Sequence, residues 1–317
     1  MVFLSHEFGT ENDRSIGNHG SAGSHASEAS TSSHDEVETN ETRTSLVSVI
    51  VPTRNSSEFL DRCLTSIAKQ TYRPIEIIVV DNNSSDRTLE IAHAFTTNVF
   101  TWGPERSAQV NFGVRQASGR FVYKVDSDFE LDPLVVESCV AEIAKGFDAI
   151  VVHNSPDTRV SWIARIRKFE VDMYKFDLDH SSARFTSKKV YENVGGFDET
   201  ITAGEDYDFQ NRLNQAGYRT GFVSPEALHL GEPTSLWAHM VKYYRYGADF
   251  VTFATRNREA SRSQLRFVRR VYLRNWRKFM RHPIRGSAFA AYSTCKFAFG
   301  ATGFVMGKLY PRDVPRA

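Results

Sequence analysis

Asp126 and Asp128 flank Ser127 in VYKVDSDFE, directly after the apolar run FVYKV. Like charges this close repel, and burying one alone is costly. A cation between them resolves the conflict. A divalent ion suits carboxylate oxygens and keeps positions open for phosphate. The plainer alternative is that one aspartate caps the following helix and the other is solvated.

The elements that must position this pair follow from apolar periodicity. LVSVIV reads as a strand ending at Pro52, and NSSEFLDRCLTSIAKQ as a helix whose Asn55 and Glu58 have capping-box spacing. PIEIIVV is a second strand ending at Asp81, and NNSSD caps a helix through RTLEIAHAF. NVFTW is a weaker strand, and SAQVNFGVRQA a helix closed by Gly119. FVYKVD is the next strand. DPLVVESCVAEIAKG is a helix with Pro133 in its first turn and Gly146 at its end, followed by the strand DAIVV. Strands that are apolar throughout and alternate with helices predict an α/β, Rossmann-like fold. Its mostly parallel sheet is covered by helices on both faces.

Ligands of such sheets bind beyond the carboxyl ends of the strands. Those ends hold Pro52, Thr53, Arg54 and Asn55; Asp81, Asn82 and Asn83; and Asp126, Ser127 and Asp128. No G-x-G-x-x-G and no G-x-x-x-x-G-K-[ST] is present, so a glycine-rich phosphate loop is not expected. A cation at Asp126 and Asp128 is the expected means of meeting a diphosphate.

The composition, 41% hydrophobic and 24% charged, suits a globular protein of one large or two small domains. Net charge is +1 but unevenly spread: residues 1–45 hold eight acids and two bases, whereas residues 241–317 hold seventeen Lys and Arg and three acids. That asymmetry predicts a terminus meeting an anionic surface. Three widely spaced cysteines, Cys63, Cys139 and Cys295, argue against a disulfide framework and a structural zinc site. The N-terminus lacks the basic and apolar regions of a secretory signal. Residues 1–45 are Ser-rich and acidic, and read as a disordered tail.

The stretch VSVIVPTRNSSEFLDRCLTSIAKQTYRPIEIIVVDNNSSDRT resembles the opening of family 2 glycosyltransferases, which have the GT-A fold. KVDSD resembles their D-x-D motif, and GGFDETITAGEDYDFQNRLNQAGYRTGFVSPEALHLG their acceptor-side segment. The resemblance covers about residues 46–232. It implies an inverting transfer from a nucleotide-diphosphate sugar, with Mn²⁺ or Mg²⁺ as cofactor. By position it implies that Pro52, Thr53 and Asn55 border the nucleotide, with Asp81, and Asn83 beside it, at the base. Asp126 then lies near the ribose and phosphate, Asp128 ligates the metal, and Asp206 of the Glu205-Asp206 pair is the general base. Where many members have A-x-A-R-N-x-G, this chain has SAQVNFG, so Val110 stands for the arginine and Arg106 is the candidate cation for the diphosphate. The Gln-x-x-Arg-Trp motif of processive synthases is absent, which predicts one sugar per acceptor.

Other residues carry two readings each. His229 is a third metal or diphosphate ligand, or a structural histidine at a strand end. Gly195, Gly196 and Gly204 let a loop approach substrate, or make turns. Asp208 is expected to favour a helix N-terminus, with Arg212 paired to it or to Glu205. Trp102 is expected in the core.

Residues 236–285 read as helix. In RSQLRFVRRVYLRNWRKFMRHPIR, Leu265, Val268, Tyr272, Trp276 and Phe279 recur at three- and four-residue steps among arginines, as in helices of a membrane interface. The alternative packs this stripe on the catalytic domain. Residues 286–307 read as a second interfacial or membrane-dipping helix.

The expected organisation is therefore a tail at 1–45, a catalytic domain at 46–235 and a basic helical region at 236–317. The expected activity is transfer of one sugar to a lipid-linked or polyprenyl-phosphate acceptor in glycan assembly. The expected location is peripheral, on the cytoplasmic face of an anionic membrane surface, with no nucleic acid partner. The rival readings are a sugar-1-phosphate nucleotidyltransferase and a non-catalytic nucleotide-sugar or membrane-binding module.

Overall fold

The computed structural model describes residues 44–257 and 266–310. The acidic tail falls outside these except for its last two residues, as does Leu265. β1 (Val47–Thr53) pairs in parallel with β2 (Ile75–Asp81) and with β4 (Phe121–Lys124), and β2 pairs in parallel with β3 (Val99–Thr101). The sheet continues through β7 (Phe185–Ser187), β6 (Ala149–Pro156), β8 (Thr220–His229) and β5 (Phe129–Leu131), in the order β3-β2-β1-β4-β7-β6-β8-β5. β7 runs antiparallel to both β4 and β6, and β5 antiparallel to β8. The sheet is therefore mixed, and parallel chiefly in its first half. β5 and β7, three residues each, are too short to show in apolar periodicity.

Alternation along β1 builds two cores. Val47, Val49 and Val51 pack on α1 (Leu60–Ala68), α2 (Thr88–Phe95) and α4 (Val135–Ala144) through Leu64, Ala92 and Val136. Ile50 faces the other side, toward α3 (Arg106–Gln116), α6 (Lys188–Asn193) and α7 (Glu205–Gln215) through Val110, Tyr191 and Phe209. Each face thus removes a continuous apolar layer from water.

Local signals were met unevenly. Asn55 does not cap the first helix, which starts at Leu60 with no side-chain cap. It takes a left-handed φ of 49° instead, and its Oδ1 accepts the Ser85 N–H at 2.9 Å. Gly119 does not close α3, which ends at Gln116; its N–H donates to Ser48 Oγ at 2.8 Å. Pro133 lies two residues before α4, outside its first turn, whereas Gly146 follows that helix at φ 89°. Trp102 is not core: it is 44% exposed and stacks on Phe112.

A third core joins α5 (Trp162–Val171) to α8 (Leu236–Arg256), α9 (Arg270–Arg274), α10 (Trp276–Arg281) and α11 (Pro283–Leu309). The expected unbroken helix to 285 does not form. Helices end at Asn275 and His282, and Pro283, which has no N–H to donate, opens α11 instead. α11 lies along α8 at backbone contact, and a Cβ at Gly303 would collide with the Tyr244 carbonyl. Lys296, which made this stretch read as interfacial, points inward to a buried Glu170, with Nζ 2.6 and 2.7 Å from the two carboxylate oxygens. No helix among the described residues is long and apolar enough to cross a membrane.

Candidate active site

The parallel strands deliver their polar ends to one edge. Thr53 and Asp81 are register partners on β1 and β2, and Thr53 Oγ1 donates to Asp81 Oδ1 at 2.9 Å. Ser84 also donates to Asp81, from its N–H at 2.8 Å and its Oγ at 2.5 Å. Asp81 is fully buried, so it organises the two loops. Gln109 Nε2 donates to the carbonyls of Thr53 and Val80, fixing both strand ends to α3. Pro52 is buried beside Thr53, and Asn83 is exposed at φ 50°.

Asp126 lies two residues beyond β4 and its carboxylate is held by protein cations. Arg184 Nη1 is 2.7 Å away, Arg106 Nη1 3.4 Å and Lys124 Nζ 3.9 Å. Arg184 arrives there because it precedes β7, and Lys124 N–H donates to its carbonyl across that antiparallel pair. Burial raises the Asp126 pKa, but Lys124, Arg184 and Arg106 outweigh it and hold the group well below the carboxylate range.

The same cations reach α7. Arg106 pairs with the buried Glu205, and Lys124 Nζ lies 2.8 Å from Asp206 Oδ1. Burial would raise Asp206, yet Lys124, then Arg184 and Arg106, bring it down to about 2. Asp206 is therefore ionised at any working pH. Lys124 Nζ is also 5.0 Å from the Phe197 ring centre. Asp208 sits in the first turn of α7 and pairs with Arg212 at 2.8 Å, as expected. Gly195, Gly196 and Gly204 all have positive φ.

Asp128 belongs to a separate group. Phe129 on β5 is the register partner of His229 on β8, so the antiparallel pairing sets His229 Nε2 3.1 Å from Asp128 Oδ2. On the other side of the ring, His229 Nδ1 is 2.5 Å from Glu232 Oε1, and Arg167 pairs with the other Glu232 oxygen. A carboxylate behind the imidazole fixes its orientation, as behind metal-bound histidines. Burial disfavours the His229 cation, but hydrogen bonds to Asp128 and Glu232 raise its pKa overall. Gly231 keeps this corner open, since a Cβ there would sit 2.6 Å from Asp128 Oδ2.

Of the expected metal set Asp126, Asp128 and His229, the structure brings Asp128 and His229 into contact and sets Asp126 among cations. Three cations already hold Asp126, and the described residues contain no group of three or more His, Cys, Asp or Glu that could hold a metal. The pair Asp128 and His229 fits a divalent ion whose other positions a diphosphate fills: one hard oxygen, one oriented imidazole nitrogen, and space. Lys124, Arg167, Arg184 and Glu232 were not read as site residues from the sequence. Lys124 alone carried a signal, as a cation inside the otherwise apolar FVYKV strand.

A mixed sheet of this order, with acids gathered at one edge and helices on both faces, is the GT-A class of fold. Residues 48–195 match the family described as glycosyl transferase family 2. That match covers a little under half of the chain and supports a family 2 glycosyltransferase domain. It is 27% identical to glycosyltransferase AglE of Haloferax volcanii over 194 residues, 56% of this chain and 64% of that protein. It is 26% identical to a chondroitin synthase of Escherichia coli over 191 residues, 55% of this chain but 27% of that protein. The chain thus spans less than two thirds of the length of either relative. In fold it is similar to the mannosyltransferase PcManGT of Pyrobaculum calidifontis, solved with GDP-Man and Mn²⁺: TM-score 0.54, 15% identity, covering 90% of this chain and 86% of that one.

Proposed function

We propose that this protein transfers one sugar, with inversion, from a nucleotide-diphosphate sugar to a lipid-linked acceptor, a polyprenyl phosphate in particular. The observation that carries the reading is Asp128 Oδ2 beside His229 Nε2, oriented by Glu232, at the strand edge where this fold binds ligands. The family match over residues 48–195 and the metal-bound nucleotide sugar in the Pyrobaculum structure support it.

Each group then has a role. Asp128 and His229 hold Mn²⁺ or Mg²⁺, which when bound stabilises charge on the departing diphosphate. Glu232 keeps the His229 ring in place. The loops after β1 and β2, organised by Asp81, receive the nucleotide at Pro52, Thr53, Asn55 and Asn83. Arg106, 46% exposed at its side chain, turns from Glu205 and Asp126 toward the diphosphate. The acceptor oxygen bonds to the anomeric carbon as the bond to the diphosphate breaks and its electron pair leaves with the nucleotide.

Asp206 favours a phosphate over a hydroxyl acceptor. A carboxylate already paired with the Lys124 ammonium is poorly disposed to take a hydroxyl proton. A phosphomonoester arrives ionised near pH 7 and has no proton to lose. Asp206 then positions Lys124 and Arg184, two cations suited to the acceptor phosphate. Nucleoside diphosphate release from a panel of nucleotide sugars, with polyprenyl phosphate and with sugar hydroxyl acceptors, tests this. Release with the phosphate only, retained in part by Asp206→Asn, supports it. Pyrophosphate release from a nucleoside triphosphate and sugar 1-phosphate supports the nucleotidyltransferase instead, and binding without turnover supports a non-catalytic module.

A further inference from the structure

We propose that residues 266–285 form a docking face for an anionic lipid bilayer. Periodicity alone shows one apolar stripe in this segment; the structure divides its apolar side chains into two sets. Val271, Tyr272 and Phe279 turn inward onto α5 and α11. Leu273, Trp276, Met280 and Ile284 turn outward and are 65%, 56%, 71% and 85% exposed. They follow one another at three, four and four residues through α9, α10 and the first turn of α11. None of the four is needed for the third core, so their size has no structural use inside this chain.

Cations surround that row. Residues 266–285 contain seven arginines, one lysine and no acid. Two of the eight are committed to the fold: Arg269 donates to Tyr174 Oη at 2.8 Å, and Lys278 to the Asp172 carbonyl at 3.0 Å. Arg266, Arg270, Arg274, Arg277, Arg281 and Arg285 are exposed and have no ion-pair partner among the described residues.

The mixture selects the partner. A nucleic acid would pair with the arginines and leave Leu273, Met280 and Ile284 in water. An apolar protein surface would bury those side chains and leave six cations unpaired. An anionic leaflet accepts both, apolar side chains at the acyl boundary and guanidinium groups among the lipid phosphates. Tryptophan is enriched at that depth, and Arg277, 5.8 Å from the Trp276 ring centre, accompanies it. The attachment is peripheral, and it stands whether or not the chain transfers sugar, because it concerns a different face.

The test is co-flotation of the full chain, without donor, with vesicles of phosphatidylcholine and of the same lipid with a third replaced by phosphatidylglycerol. One variant changes Arg274, Arg277, Arg281 and Arg285 to Gln; a second changes Leu273, Trp276, Met280 and Ile284 to Ser. All eight side chains are exposed, so both variants should keep the wild-type thermal midpoint. The wild type should float with anionic vesicles only, less so as salt is raised. Partition should weaken about fivefold for each arginine removed and by more than about tenfold in the apolar variant. Equal flotation with both vesicles, or none, overturns the proposal. So does duplex RNA bound equally by wild type and apolar variant, with no flotation by either. A wild-type dimer that the apolar variant makes monomeric, again without flotation, assigns the face to a second copy and also overturns it.

Discussion

Lys124 Nζ lies 2.8 Å from Asp206 Oδ1, across 82 residues of sequence. The lysine projects from β4 inside a strand that is otherwise apolar, and its side chain is 4% exposed. A buried ammonium needs a carboxylate, and Asp206 and Asp126 both serve. The Glu205-Asp206 pair is thereby tied to the D-x-D strand by charge, in addition to packing.

Lys124→Met should break that tie. Removing one partner of a buried pair costs about 3–5 kcal/mol of stability. The sign for activity follows from the wild type. Asp206 is brought down to about 2, so it stays ionised, and its contribution to stability is present above about pH 4 and lost as pH falls toward 2. Without Lys124 its pKa rises. The acid limb of the variant's pH–rate profile should lie at higher pH than the wild type's, and an unchanged profile would argue against the coupling.

Glu232→Gln should weaken divalent-ion affinity by about 10–100-fold. The amide no longer holds His229 Nδ1 through a charge, and Arg167 loses its carboxylate. The readout is the Mn²⁺ concentration that half-saturates thermal stabilisation in the presence of UDP or GDP. Equal half-saturation in wild type and variant would remove Glu232 from the site.

The fold was legible where elements are long and apolar. LVSVIV, PIEIIVV and FVYKV, with the helices between them, announced a sheet whose strand ends gather at one edge. The sequence did not disclose that the sheet turns mixed after β4, because β5 and β7 have three residues each. Those short strands carry the decisive geometry. β7 brings Arg184 to Asp126, and the β5–β8 pairing brings His229 to Asp128. Long-range antiparallel pairing leaves no local spacing to read. His229 was legible only as an isolated histidine in ALHLGEP, and Glu232 only as a nearby acid. Asp126 showed its type but not its partners, the side chains of Arg184, Arg106 and Lys124.

Lys296→Met should destabilise the C-terminal helices. Glu170 accepts two bonds from Lys296 and one each from Tyr174 and Tyr272, at 2.9 and 3.0 Å. The variant leaves that buried carboxylate without its main counter-charge, at a cost of about 3–5 kcal/mol. Urea unfolding followed by Trp fluorescence measures it. The double variant Glu170→Gln with Lys296→Met should recover part of the loss, because no lone charge is then buried.

His239 gives stability a pH dependence of its own. Burial, then Arg167 and Lys242, lower its pKa to about 4, and its Nε2 lies 2.9 Å from Tyr292 Oη. The unfolded chain takes up a proton near pH 6.5 and the folded one only near 4. Stability should therefore fall as pH drops through that window. Thermal midpoints between pH 7 and 4 should decline less steeply in His239→Gln than in the wild type. Parallel curves would show that His239 does not titrate differently on folding.

The central claim is that Asp128 and His229 hold the cation that meets the nucleotide diphosphate. Anomalous diffraction at the manganese edge, from a crystal soaked with Mn²⁺ and UDP or GDP, locates that ion directly. The account predicts one peak in coordination contact with Asp128 Oδ2, His229 Nε2 and diphosphate oxygens. A nucleotide bound with its manganese elsewhere, or with that corner still closed by the Asp128–His229 contact, would contradict it.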